Sequence, residues 1–308
     1  MKKMYLWMLA LLMVGGMVCV SCDDDDDKKD GGDKNELVGV WASTKNPIPI
    51  EELKTKTRMT LFFEDATHEE IYMILREDGT CYSLGVFFKQ VGDNMQYLTF
   101  EMEEGTYSVK NGKITTKYLD DEDDPETVPY KLKNGVLTTT DEDGNTFTFK
   151  RVDESKVKQY LEQYETDQDA KKLLTNGYWA DIRNPFKDDD GNYRRIYYKY
   201  NQDGSCLFYT FNFGTQNFTC KSGTLEEGYW DITGGYYYEI FFDDDDYSDY
   251  HFTYYYYTDT KTGRVHFVEE DDDFTYEYFQ TTQADIDPYL KYLTNKTPQR
   301  GSFAPRRK

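Results

Sequence analysis

Leu37-Val38-Gly39-Val40-Trp41-Ala42, with Asn46-Pro47 a few residues on, returns later in the chain as Asn176-Gly177-Tyr178-Trp179-Ala180, with Asn184-Pro185 at the same spacing. Further anchors follow in the same order. Asp78-Gly79-Thr80-Cys81 matches Asp203-Gly204-Ser205-Cys206, and Glu104-Gly105-Thr106-Tyr107 matches Glu227-Gly228-Tyr229-Trp230. Thr146-Phe147-Thr148-Phe149 matches Thr275-Tyr276-Glu277-Tyr278, and Tyr160-Leu161 matches Tyr289-Leu290. Self-similarity kept in order over so long a period is the mark of a duplicated domain. The offset falls from 138 at the tryptophans to 125 at the Asp-Gly turns. The first copy therefore carries about a dozen extra residues around Ile48 to Glu64, where Met59 to Phe63 read as an added strand.

Within each copy, short apolar alternations are separated by Asp-Gly and Asn-Gly turns, as at Asp78-Gly79, Asn111-Gly112, Asn134-Gly135 and Asp203-Gly204. Such dipeptides between alternating runs are hairpin signals. Aromatics make up 17% of the chain, which suits strands. The first copy reads as separate strands that include 96–102 and 105–110, the second as strands that include 217–222 and 227–232. Sequential antiparallel strands of this number in so short a span predict an up-and-down barrel or a strongly bent sheet. A short helix closes each copy, one opening at Asp153-Glu154-Ser155 and running through Tyr160 and Leu161, the other over Ala284 to Leu293. The expected organisation is a first domain over 37–161, a linker over 162–173 around Asp167-Gln168-Asp169, a second domain over 174–293 and a basic tail over 294–308.

The paired motifs Gly39-Val40-Trp41 and Gly177-Tyr178-Trp179, each followed by the Asp-Gly-Thr/Ser turn and the Gly-Thr-Tyr or Gly-Tyr-Trp strand, resemble the lipocalin-like domains of many small bacterial lipoproteins. The resemblance covers both copies. It implies an all-β chain of two tandem lipocalin-like antiparallel meander β-barrels, each ending in a short helix, each with an interior able to form a pocket, and without known enzymatic activity. It also implies that Trp41 and Trp179 close one end of each barrel and are structural.

The first residues, Met1-Lys2-Lys3 and then an apolar run from Met4 broken at Gly15-Gly16, form a secretory signal pattern. The segment ends Val18-Cys19-Val20-Ser21-Cys22, which resembles the lipobox of bacterial lipoproteins, although Cys19 stands where Leu or Val is usual. The expectation is a signal peptide over 1–21 and lipidation at Cys22; an ordinary signal peptide with incidental cysteines is the alternative. Residues 22–36, with five aspartates from Asp23 to Asp27, form a solvated acidic tether. An acidic run after the lipidated cysteine resembles the surface-export signal of certain Gram-negative lipoproteins. The chain as a whole thus resembles a tandem lipocalin-like domain lipoprotein of Gram-negative gut-type bacteria, anchored in the outer membrane and facing outward, with the periplasmic face as the alternative.

Removing residues 1–21 takes away Lys2 and Lys3 and no acid, which carries the formal charge from −22 to −24. That charge repels phosphate backbones and excludes nucleic acid as a partner. It gives no attraction to anionic headgroups, so the membrane link rests on acyl chains. Neither a Gly-x-Ser-x-Gly elbow nor a phosphate loop occurs, and no cofactor is expected. The three histidines, His68, His251 and His266, form no zinc-protease helix; with the turn closing at Gly263, His251 falls opposite a residue near Glu270 and not opposite His266. The aspartate runs at 120–124, 188–190, 243–246 and 271–273 lack the spacing of a calcium loop. No metal site is expected.

Cys206 and Cys220 flank a hairpin expected to centre near Phe213, which makes them a candidate disulfide. Tyrosine is the unusual component: 20 of the chain's 29 lie in 177–293. Tyr236 and Tyr238, with Tyr254, Tyr255, Tyr256 and Tyr257, place rings on both faces of their strands. They are the candidate contacts for a ligand or partner; the competing reading is rings that cover a small barrel. Two functions follow. A carrier of a small molecule or glycan needs an open cavity with convergent polar groups. A surface adhesion or assembly module that binds a protein partner needs filled barrels and an exposed aromatic patch.

Overall fold

The computed structural model describes residues 34–52, 65–119, 125–141, 144–187, 191–214, 219–241, 251–270 and 275–294; of Glu239, Ile240, Phe241 and His251 it describes the backbone alone. The signal segment, Cys22, the tether through Asp33, the added strand expected at Met59 to Phe63, the four aspartate runs and the tail from 295 lie outside these residues. No helix among the described residues is long and apolar enough to cross a membrane.

The chain is mostly β and divides into two units, Met1–Leu161 and Glu162–Lys308. In the first, a short helix α1 (Lys34–Leu37) precedes β1 (Gly39–Ser43), β2 (Ile48–Pro49), β3 (His68–Leu75), β4 (Thr80–Val91) and β5 (Asn94–Lys110). Then come β6 (Lys113–Tyr118), β7 (Glu126–Lys133), β8 (Val136–Thr140) and β9 (Thr146–Val152). From β2 onward each strand pairs antiparallel with the next, and β1 pairs with both β3 and β9. This double pairing closes an eight-stranded antiparallel barrel, with β2 as a two-residue addition beside β3.

Helix α2 (Lys158–Thr175) follows, then β10 (Tyr178–Asp181), β11 (Phe186–Lys187), β12 (Tyr193–Tyr200), β13 (Ser205–Phe213) and β14 (Cys220–Thr233). The second sheet is completed by β15 (Tyr236–Phe241), β16 (His251–Thr258), β17 (Val265–Glu270) and β18 (Thr275–Thr281), after which helix α3 (Gln283–Leu290) ends the unit. Its pairing order repeats that of the first sheet, and β10 pairs with both β12 and β18.

The repeated motifs have a local physical cause in each unit. Gly39 and Gly177 have φ of 138° and 115°, a region that L side chains rarely adopt. Each glycine turns the chain so that the tryptophan two residues on is fully buried. Trp41 Nε1 donates to Leu37 O at 2.8 Å, and Trp179 Nε1 donates to Leu174 O at 2.9 Å. Asn46 accepts from Ile71 N–H and donates to Ile71 O, both at 2.9 Å. Asn184 makes the same pair with Ile196, at 2.8 and 2.6 Å. An asparagine here mimics a strand residue and satisfies a backbone donor and acceptor together, which accounts for its fixed distance from the tryptophan.

Which face of the first sheet is the interior follows from convergence. Trp41, Ile71, Met73, Leu75, Cys81 and Tyr107 form one cluster with Ile114, Leu137 and Phe149, drawn from strands all round the ring. Only an inward face brings them together. The opposite face of β5 is covered locally by the start of α2, with the Phe100 and Tyr160 rings 5.2 Å apart. In the second unit, Trp179, Tyr200, Trp230, Tyr237, Phe267 and Tyr278 occupy the corresponding interior. Tyr200 meets Trp230 edge-on at 5.1 Å, and Tyr237 meets Phe267 at 5.8 Å. Ile286 and Tyr289 of the α3 region cover the other face over Tyr197, Phe211 and Phe213.

Three expectations are corrected. The runs at 96–102 and 105–110 belong to one strand, β5, and those at 217–222 and 227–232 to β14, because Gly105 and Gly228 let each strand continue without a turn. A Cβ at Gly105 would lie 2.6 Å from Lys117 O, so the glycine marks a close approach and not a break. Residues 162–173 are not a linker but the body of α2, whose Ala170 and Leu174 join the interior of the second unit. The helix ending the first copy is accordingly long, at 18 residues.

Asn46→Ala leaves the Ile71 backbone groups without their partner, a loss of roughly 1 to 3 kcal/mol. Urea unfolding of this variant is expected to show the first unit destabilised by that amount, with Asn184→Ala doing the same to the second.

Candidate functional site

The six tyrosines singled out from the sequence do not form one surface. Tyr237 and Phe252 belong to the interior cluster and pair with each other, so alternation sends Tyr236 and Tyr238 outward. On β16, Tyr254 packs against the interior while Tyr255 and Tyr257 point outward. Tyr238 is nonetheless buried, at 3% exposure, whereas Tyr255, Tyr256 and Tyr257 are exposed at 47, 41 and 43%. Tyr254 is structural, because its hydroxyl donates to Asp167 Oδ1 at 2.6 Å. Asp167 also accepts from Gln163 at 2.9 Å and from Gly235 N–H at 3.2 Å. Burial raises the Asp167 carboxyl and those bonds oppose the rise, so α2 is fastened to the second sheet by a satisfied acid.

Tyr257 belongs to an outward cluster with His266 and Glu277. Its ring stacks on His266 at 4.9 Å, its hydroxyl donates to Glu277 Oε1 at 2.5 Å, and His266 Nδ1 lies 2.8 Å from the same oxygen. The bond to Glu277 is the leading cause that pushes the Tyr257 phenol up to about 12. His251 pairs with Tyr238 and His266 with Tyr257, so these two histidines are not opposite each other.

The candidate disulfide is corrected. No disulfide joins Cys206 and Cys220, and both are buried. Cys220 lies opposite Phe213 and Cys206 opposite Gly228. The β13–β14 connection spans 214–219, beyond Phe213, so the two cysteines sit at different levels along the hairpin.

The interior of the first barrel holds a feature that the sequence did not single out. Ile71, Met73 and Leu75 point inward, so Glu69 on the same alternation does too. Register carries the inward face from Ile71 to Gly85 and from there to Glu101, and from Ser83 to Glu103. Across β6 it reaches Glu126, opposite Thr116 and one alternation from the Val128–Ile114 pair. The end away from Trp41 therefore presents carboxylates from β3, β5 and β7. Gly85, which has no side chain, lies between the β3 and β5 carriers.

Glu69 is 0% exposed, and neither carboxylate oxygen has a hydrogen-bond partner. Thr99, opposite Phe87 and equally buried, has its hydroxyl in the same state. An ionised carboxylate so placed costs several kcal/mol, and the proton is retained instead. Burial first, and the charge of Glu101 second, raise Glu69 well above the usual carboxylate range. Burial likewise raises Tyr118, and Cys81, Glu103 and Glu126 add to it. Glu101, Glu103 and Glu126 are each partly exposed. The signal for this site was the period-two run Glu69-Ile71-Met73-Leu75, but the alternate run Glu70-Tyr72-Ile74 is as apolar, so sequence alone does not say which run faces in.

Among the described residues no group of three or more His, Cys, Asp or Glu is placed to hold a metal ion. No family model matches the sequence, and no curated protein matches it. Among solved structures it aligns with a porin-like protein from Bacteroides uniformis, at 10% identity over 79% of this chain and 95% of that one, with a TM-score of 0.14. A similarity of that size bears on neither fold nor function.

Because Glu69 binds its proton more tightly folded than unfolded, its contribution to stability is present at acid pH, below the unfolded-state value. That contribution is lost as pH rises through the raised folded-state value. Glu69→Gln removes this loss. Urea midpoints measured from pH 4 to 9 are expected to fall less steeply with pH in the variant, which gains roughly 1 to 3 kcal/mol over the parent at the alkaline end. Parallel curves would contradict the assignment.

Proposed function

We propose that this chain is an exported lipoprotein, acylated at Cys22 and displayed on the outer face of the outer membrane. On this reading its two units are lipocalin-like barrels without enzymatic activity, and the first binds a small molecule in its lumen. One observation supports this most: the first barrel has an apolar floor around Trp41 and Leu75, and polar groups converge at its other end, where Glu69 and Thr99 lack partners. Apolar walls with a few placed polar groups are the usual make-up of a ligand site. The second unit was the better candidate on sequence. Its interior is packed with aromatic rings, which favours the first.

A second reading has its own support. Tyr255 and Tyr257 stand exposed on the outward face of β16. A filled barrel bearing exposed tyrosines suits a surface module that holds a glycan or a protein partner.

Metabolic labelling with a fatty-acid analogue in a Gram-negative host is expected to mark the parent and not Cys22→Ser. Protease added to intact cells is expected to remove the protein; protection until the outer membrane is breached would place it on the periplasmic side. Native mass spectrometry of protein from its own host is expected to show a copurified small molecule. A clean apo mass together with saturable glycan or protein binding that Tyr255→Ala and Tyr257→Ala abolish would favour the second reading.

A further inference from the structure

Resting on the reading of the first barrel as the binder, we infer that its lumen takes an organic polycation, a linear aliphatic chain bearing two or more ammonium groups, with Glu69 and Glu101 meeting one charge and Glu103 and Glu126 facing another. Strand register directs all four carboxylates to the inward face. Among the described residues, the cationic side chains that alternation leaves to that face have other partners. Arg151 lies over the Trp41 ring at 4.7 Å and donates to Val38 O and Glu36 O, at the opposite end. Lys89, at the rim, is ion-paired with Asp65 at 2.5 Å.

The acids alone would be an ordinary polar patch. The independent observation is the pair of buried groups with nothing to bond: both oxygens of Glu69 and the hydroxyl of Thr99, each residue 0% exposed. An ammonium group donates up to three hydrogen bonds and accepts none, which matches the two Glu69 oxygens and the Thr99 hydroxyl. The carboxylates come from three different strands and do not converge as metal ligands do, and no metal-holding group occurs among the described residues. A chain with spaced charges fits that dispersion better than a compact ion. Its methylenes would lie along Ile48, Ile71 and Phe147, which are inward and apolar. An eight-stranded barrel is of the size at which side chains fill the interior or one small ligand is held.

Binding ionises Glu69, because the ammonium supplies the counter-charge that its surroundings lack. A proton leaves on binding, and affinity rises with pH through the range in which Glu69 titrates.

The test is calorimetry of the mature chain with spermidine in 150 mM salt, repeated in two buffers of different ionisation enthalpy. One saturable site per chain is expected, with a buffer-dependent heat that reports proton release. Glu69→Gln and Glu101→Gln, each checked for fold by circular dichroism, are expected to weaken binding at least tenfold. Asp259→Asn, on a surface turn of the other unit, is expected to leave it unchanged. Glu103→Gln serves if either variant misfolds. Heat that vanishes in salt, or an affinity equal in all variants, overturns the inference and leaves only counter-ion attraction to an acidic chain. If spermidine fails while a copurified neutral molecule is lost in Glu69→Gln, the charge class is wrong and the carrier reading stands. If neither is seen, both fall.

Discussion

The closed sheet of the first unit sends every second side chain into a space of fixed size, the second sheet repeats its pairing order, and the rest of this structure depends on what each copy puts on that face. Both copies fill the end nearest the tryptophan in one way. A glycine with positive φ turns the chain, the indole is buried, and its N–H is tied to the carbonyl of the preceding helix at Leu37 or Leu174. The two copies then diverge. The second continues with stacked and edge-on rings and takes Ala170 and Leu174 of α2 into its interior. The first continues with Ile71, Met73, Ser83 and Gly85 to an end where Phe87 lies opposite Glu69 and Thr99. The same frame thus holds one interior dominated by its own rings and another in which Glu69 and Thr99 are buried among fewer rings.

Charge sharpens the contrast. Asp167 in the second unit is as buried as Glu69 in the first, yet it accepts from a tyrosine, a glutamine and a backbone N–H. Those donors make it a fastening for a helix. Glu69 has no donor and a second acid nearby, so it keeps a proton that an ordinary glutamate gives up. A protein selected only for stability would replace such a residue with an apolar one of like volume, since breaking even with a buried charge requires partners. Acids face inward in the second copy too, at Asp181, Glu226 and Glu269, but Asp181 is paired with Arg183 and Glu269 accepts from the Tyr278 hydroxyl, whereas Glu69 has no such donor.

The frame was legible in the sequence because its causes are local. Gly39-x-Trp41, Asn46-Pro47 and Asp78-Gly79 each act within a few residues, and each recurs. The face of a strand was not legible where both alternations are apolar: Tyr236 to Tyr238 and Tyr254 to Tyr257 read as platforms on either side, and Glu69 and Glu70 were indistinguishable. Ring closure decides such cases, and closure is a long-range property. The linker reading of 162–173 failed because Asp167-Gln168-Asp169 looks solvated, while the burial of Asp167 depends on Tyr254 and Gly235, far along the chain. The proposed disulfide failed because the turn was placed at Phe213, where the strand in fact continues to its pairing with Cys220.

Glu69 is the pivot of the binding proposal: an inward, unpartnered carboxyl that holds its proton in the folded first barrel. The most direct measurement is the carboxyl carbon shift of Glu69 against pH by NMR, assigned by comparison with Glu69→Gln. The expected result is a titration well above the ordinary carboxylate range, moving downward when a polycation is bound. A titration within the ordinary range would contradict the proposal.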